Sequence, residues 1–266
     1  MNENSNSETK DKILLEIYKD TAQPAVRAVG NALGTCFEFV TSWHWSLKLK
    51  SEKARLTFQK NLEKYAEELA KIPEEKRCEV HQQIGLPILD KLTYTTEEDI
   101  ADLFIMLLTS ASNQDMVHTA LPAFVSMISE LSPDEARILN YLKDKEDIAY
   151  CDFRGVNKKN GKEILNNICR CTIIPDEVKL EHKDNIIIYL NNFVRLGILV
   201  DYNATFYRLE DTITYNRIQD IYLEKLKSDL VPNKYQNIKI LKSFYEITEL
   251  GKRFIQACTK NTLEKA

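Results

Sequence analysis

Val26, Val29, Leu33, Phe37, Val40, Trp43 and Leu47 follow one another at steps of three and four residues. That spacing lines up one face of a helix, because 3.6 residues complete a turn. The stripe weakens around Lys50–Ser51 and resumes at Ala54, Phe58, Leu62, Tyr65, Leu69 and Ile72, with Pro73 marking its end. Pro24 suits the start, since proline in a first turn gives up only an N–H that had no partner. The pattern predicts one very long helix, or two helices meeting near residue 50, packed in a bundle or a coiled-coil-like hairpin. The spacing over 54–72 fits a homodimer and an intramolecular hairpin equally well. Seven glycines and seven prolines in 266 residues are few for sandwiches and barrels, which need many tight turns, and favour long helices.

Further elements follow from their end signals. Residues 1–11 are small and polar and read as a disordered tail, followed by a short helical run at 12–20. Thr95 and Glu98 have capping-box spacing ahead of an apolar run, and the acidic group Glu97, Glu98, Asp99 suits a first turn, where the helix dipole favours carboxylates. Pro122 kinks or divides the run that follows. Ser132, Pro133 and Glu135 form a second box and predict a helix start. Residues 147–153 alternate and are rich in β-formers, hence a strand; 155–171 read as a loop and a helix. A helix over 185–196 ends at Gly197 and a strand follows at once. After a variable polar segment come a strand, a cap at Thr248 and a closing helix.

This order, with Leu196-Gly197-Ile198 and Thr248-Glu249-Leu250-Gly251 as its markers, resembles the winged-helix fold, although 204–242 is longer than a usual wing. The expected class is mainly α: a long-helix bundle or hairpin over 12–131, then a winged-helix-like α+β domain over 132–266.

Charge and composition narrow the function. Residues 1–131 hold 14 Lys+Arg against 20 Asp+Glu, or −6, and residues 132–266 hold 22 against 20, or +2. Neither half has the positive field that non-specific nucleic-acid binding requires. The polar N-terminus does not read as a signal peptide, and six scattered cysteines fit reduced thiols; a cytoplasmic location is expected. The seven glycines are isolated, so no phosphate loop is present, and there is no nucleophile elbow. Cys169-x-Cys171 with Cys151 and His182 would make a weak zinc set, and buried cysteine is the commoner outcome. Arg77 and His81, with only three residues between them, are a near miss for a helical ribonuclease pair. We expect no cofactor, no metal and no catalytic residue.

Two surfaces are candidates for binding. Arg27, Asn31 and Glu38 interrupt the first stripe on its opposite face, so that helix is amphipathic and too polar to span a bilayer. Gly30-x-x-x-Gly34 beside the stripe lets a neighbour approach closely. Phe37, Trp43, Trp45, Lys48 and Lys50 form a candidate protein or membrane contact, with aromatic rings and cations as in interfacial anchors. In the winged-helix half, Asn191, Asn192 and Arg195 are the candidate nucleic-acid contacts on the recognition-position helix. One arginine is thin support, because such helices present several Arg, Lys, Asn and Gln to bases and phosphates.

Ala22-Gln23-Pro24-Ala25-Val26-Arg27, the run Pro87 to Thr95 (PILDKLTYT) and Leu131-Ser132-Pro133-Asp134-Glu135-Ala136 together resemble the abortive-infection alpha family over about residues 17–258. The resemblance implies a bacterial antiphage setting in which infection is sensed and growth or phage production is stopped. It brings no catalytic residues. The expected function is therefore a non-enzymatic defence protein acting through contacts with a phage or host protein, with conditional membrane contact and homo-oligomerisation open. A winged-helix DNA-binding regulator is the alternative.

Overall fold

The computed structural model describes residues 29–36, 52–157, 163–164, 169–203, 206–207, 211–229 and 235–260. The chain is mainly helical. By its internal contacts it divides into one unit of Met1–Ala136 with Arg253–Ala266 and another of Arg137–Lys252. The expected tail at 1–11 and helix at 12–20 lie outside the described residues.

In the first unit α1 (Glu52–Ala70), α2 (Gln82–Leu92), α3 (Glu98–Ala111) and α4 (Ala123–Ser129) make a helical bundle. The second half of the sequence stripe is its working face: Phe58, Tyr65, Leu69 and Ile72 are buried. They lie against α3, the most enclosed helix, which buries Ile100, Leu103, Phe104, Leu107 and Leu108 along with its small residues. Burial of an amphipathic face, rather than propensity, holds such helices in place. Asn61 is buried among these side chains, and its Nδ2 donates to Leu92 O (2.9 Å) and Thr95 O (3.2 Å). It thereby satisfies a carbonyl at the end of α2 that has no intrahelical donor. Tyr65 Oη and Ser112 Oγ meet at 2.6 Å, and Ser112 Oγ donates to Leu108 O at 2.7 Å.

The box expected at Thr95 and Glu98 does not form. Thr95 Oγ1 instead donates back to Lys91 O (2.8 Å), closing α2, and Glu98 pairs with Lys60 Nζ at 2.5 Å. Helix α3 begins only after Glu97, its N-cap, so Thr95 stands outside the cap position and its hydroxyl serves an open carbonyl at the end of α2. Pro122 divides the following run, standing between a 3-10 turn at Val117–Thr119 and α4.

The box at the start of α5 (Pro133–Leu142) is complete: Ser132 N and Oγ both donate to Glu135 Oε2 at 2.7 Å, and Glu135 N donates to Ser132 Oγ at 3.3 Å. Ser132→Ala is expected to cost about 1 kcal/mol, the usual worth of an N-cap. Thermal unfolding checks it, and an unchanged midpoint would show that the box does not hold the helix start.

Residues 253–258 of α9 (Glu249–Cys258) pack in the first unit rather than with the domain in which the sequence reading placed them. Phe254 lies edge-on to Phe124 with centroids 5.0 Å apart, and Ser110 Oγ donates to Ala257 O at 2.9 Å.

The second unit carries an antiparallel sheet in the order β2-β1-β4-β3, with β1 Asp147–Asn157, β2 Glu163–Ile164, β3 Leu199–Asp201 and β4 Tyr235–Ile247. Its helices are α6 (Ile174–Glu177), α7 (Ile186–Arg195) and α8 (Thr212–Asp229). Two expectations are corrected. Gly155–Asn157 belong to β1, and Glu163–Ile164 pair with Gly155 and Val156 as β2, where a loop and a helix were expected. Cross-strand pairing along an extended β1 outweighs the helical preference of so short a segment. The variable polar segment contains α8 and the first half of β4. The α8 side chains Tyr215 and Ile218, with Tyr222, cover the β1 face formed by Ala149, Cys151 and Phe153. On the opposite face stand Tyr150 and Asp152. Helix α7 buries Ile186, Tyr189, Leu190 and Phe193 and closes, as expected, at Gly197 with φ +73°.

Candidate functional site

Only residues 29–36 of the opening stripe are described, and they form a short helical segment. Val29, Ala32, Leu33 and Cys36 are buried, while Asn31 and Thr35 face solvent. The amphipathic reading of the stripe therefore holds over these residues. Phe37, Trp43, Trp45, Lys48 and Lys50 lie outside the described residues.

This segment is held against Glu79–Gly85 by a compact set of bonds. Val80 N donates to Ala32 O (2.9 Å), and Cys36 Sγ to Val80 O (3.7 Å). Glu79 Oε1 accepts from both Thr35 N (3.0 Å) and Thr35 Oγ1 (3.1 Å), and Gln82 Nε2 donates to Thr35 Oγ1 (3.0 Å). These bonds from Thr35 hold the Glu79 carboxyl below its ordinary range, because they favour its charged form.

Two glycines let the surfaces meet. Gly34 has φ +46° and leaves no space for a Cβ beside the Glu79 carboxylate. A Cβ on Gly85 would stand 2.7 Å from Cys36 Sγ. The close approach expected of the Gly30–Gly34 pair is thus real at Gly34, although what approaches it is a carboxylate. Burial, then the nearby Glu79 charge, pushes the Cys36 thiol up, so it is an unreactive thiol as it stands.

On α7, Asn191 and Arg195 are exposed and Asn192 is half-buried. Arg195 Nε and Nη2 both donate to Asn192 Oδ1, at 3.0 and 2.7 Å. Between Asn191 and the preceding turn, Ile188 is 64% exposed. The structure does bring the three predicted polar residues to one helix end, but an isoleucine shares their surface.

A polar network not foreseen from the sequence crosses the second face of the sheet. Arg170, with φ +53°, donates from its N to Asp152 Oδ1 at 2.7 Å, and its Nη2 meets Asp201 Oδ2 at 2.5 Å. Tyr150 Oη donates to Asp201 Oδ1 at 2.8 Å. The Tyr245 ring lies 4.9 Å from that of Tyr150, and its hydroxyl is buried with no hydrogen-bond partner among the described residues. Burial pushes the Tyr150 phenol up to about 12, with neighbouring Asp201 adding to the rise. Alternation of polar residues at 150, 152 and 154 on β1 was the available signal.

The other candidates resolve into structure. Cys151 and Cys171 face each other in an isolated antiparallel bridge and are buried, whereas Cys169 and His182 are exposed. Among the described residues no group of three or more His, Cys, Asp or Glu could hold a metal ion. His81 caps α2 by accepting from Gln83 N (3.3 Å), and Arg77 Nε donates to Ile72 O (2.9 Å). Among the described residues no helix is long and apolar enough to cross a membrane.

No curated protein matches the chain. Among solved structures, an uncharacterized protein from the hydrocarbon-degrading marine bacterium Alcanivorax borkumensis SK2 matches at 18% identity over 53% of this chain and 92% of its own, with a TM-score of 0.31, too low to argue from. The sequence model described as Abortive infection alpha matches residues 57–258, most of the chain and nearly all of the described helices and strands. The chain belongs to the abortive infection alpha family.

Proposed function

We propose that this protein is a non-enzymatic antiphage defence factor of the bacterial cytoplasm that works through protein contacts and stops growth or phage production on infection. In this reading the second unit is a winged-helix module that holds a partner. Its order of helix, two strands (β1 and the short β2), two helices and strand β3, with β1, β4 and β3 adjacent in the sheet, supports the module, with α8 read as part of an enlarged wing. The amphipathic segment around residues 24–49 is the effector element, directed at another protein or at the inner face of the membrane.

The observation that carries the protein-contact reading is the solvent side of α7. It offers exposed Ile188 beside a lone cation, Arg195, already engaged by Asn192. Phosphate-binding helices present several free cations, whereas a protein interface favours an apolar anchor with an arginine nearby. The alternative, a DNA-binding regulator, uses Asn191, Asn192 and Arg195.

The first experiment is flotation with anionic liposomes, comparing wild type with Trp43→Ser/Trp45→Ser, with survival of phage challenge scored in parallel. The membrane form of the reading expects wild type to float and the variant to lose both flotation and protection. If neither protein floats and the variant still protects, the stripe is not the effector. Separately, Ile188→Asp is expected to abolish protection, with no DNA retention at low salt. DNA binding that weakens steeply with salt would favour the regulator instead.

A further inference from the structure

We infer that Cys151 and Cys171 are a redox-sensitive pair: a small disulfide oxidant enters at exposed Cys169 and closes a cross-strand bridge between them. The inference is independent of the defence role proposed above.

The backbone sets the pair up. Cys151 N donates to Cys171 O at 2.9 Å, and Cys171 N donates to Cys151 O at 3.0 Å. This mutual exchange defines a hydrogen-bonded antiparallel pair, whose Cα atoms stand about 5.5 Å apart, within the range commonest for disulfides. Both side chains enter one core cluster with Phe153, Tyr215 and Ile218, so they share a face of the sheet. Both are thiols in this structure.

The same geometry makes the bridge reversible. Cβ atoms of directly opposite residues stand up to about 5.5 Å apart, against about 3.8 Å across a relaxed disulfide. Closing the bond draws the two segments together and stores strain, which makes it more readily reduced than a structural disulfide.

Access runs through the third cysteine. Cys151 and Cys171 are 0% and 2% exposed, so an external oxidant does not reach them directly. Burial also pushes the Cys151 thiol up to about 12. Cys169 is exposed, and Cys171 Sγ donates to its carbonyl oxygen at 4.0 Å. The chemistry is thiol–disulfide exchange. The Cys169 thiolate attacks a small disulfide RSSR, forming Cys169–SSR and releasing one RSH. Cys171 attacks the Cys169 sulfur and releases the second RSH, and Cys151 then displaces Cys169 from Cys171. Two protein thiols lose two protons and two electrons in all, RSSR leaves as two RSH, and Cys169 is a thiol again. The bridge ties to the edge of β1 the turn that carries Arg170, the partner of Asp152 and Asp201.

The test is oxidation of the reduced full chain with oxidised glutathione, followed by alkylation and peptide mapping. The cross-linked Cys151–Cys171 peptides are expected as the main product, with Cys36, Cys78 and Cys258 still alkylated. Cys169→Ser, an exposed substitution, is expected to give the same bridge about tenfold more slowly. A buffer with reduced glutathione in excess over oxidised is expected to reopen it. Mixed pairings like those of the urea-unfolded chain, or a stable glutathione adduct on Cys169 without a bridge, would overturn the proposal. An unchanged rate in Cys169→Ser would remove the entry role. A bridge that survives the reducing buffer would be a structural disulfide and not a switch.

Discussion

Phe254→Ala is expected to lower the stability of the first unit by about 3–5 kcal/mol, the usual cost of deleting a buried aromatic ring and leaving its cavity. The ring is completely buried and packs edge-on to Phe124 at 5.0 Å. Aromatic pairs of this geometry contribute beyond the area they bury. Around it the chain is tied in by Ser110 Oγ on Ala257 O, and further along by Lys260 Nζ, 3.7 Å from both Glu68 and Asp102. Those ion pairs are exposed on the lysine side and add little. At roughly 2–4 °C per kcal/mol for a unit of this size, the melting transition should fall by about 10 °C. Gln256→Ala, on the solvent side of the same helix, should change it by less than about 0.5 kcal/mol. A loss below about 1 kcal/mol for Phe254→Ala would mean that residues 253–258 are not part of the first unit's core.

That assignment shows where sequence patterning stops. The stripe of Phe58, Tyr65, Leu69 and Ile72 and the box at Ser132 and Glu135 were legible because each depends on residues within a turn or two of one another. The closing helix was legible for the same reason, since Thr248 Oγ1 accepts from Gly251 N at 2.9 Å. What the helix packs against is a long-range fact, and periodicity carries no information about it.

Helix α8 was missed although Tyr215, Ile218 and Tyr222 lie at helical spacing. Its first turn, Thr212-Ile213-Thr214, is β-branched and disfavours helix locally, and packing on β1 overrides that preference. The failed box at Thr95 has another cause: α3 starts two residues further on, with Glu97 at its N-cap, and the Thr95 hydroxyl closes α2 instead.

At the candidate site, the buried side of the opening stripe was readable from its spacing, but its partner was not. Glu79 is separated from Thr35 by 44 residues, and nothing in the local pattern distinguishes it from any other surface glutamate. The Arg170 network was equally hidden, since Arg170 lies in a left-handed backbone conformation that no residue preference predicts for arginine.

This network supplies the second large effect. Asp201 accepts from Tyr150 Oη, Arg170 Nη2 and Asn203 N, the last at 2.8 Å. Asp201→Ala leaves the guanidinium without its carboxylate and removes the phenol's charged acceptor. For a fully buried pair the cost is about 3–5 kcal/mol. The Arg170 side chain is 30% exposed and that of Asp201 14%, so solvent compensates part of it and about 2–3 kcal/mol is expected.

The two neighbouring tyrosines should then respond with opposite signs. Tyr150→Phe deletes a donor to a charged acceptor and should cost about 1.5 kcal/mol. Tyr245→Phe deletes a buried hydroxyl that has no hydrogen-bond partner among the described residues. Its removal relieves a desolvation cost and should leave stability unchanged or raise it by up to about 1 kcal/mol. Denaturant unfolding of the three variants decides the matter. A loss at Tyr245→Phe equal to that at Tyr150→Phe would show that its hydroxyl has a partner in solution, and that the network extends across the sheet to β4.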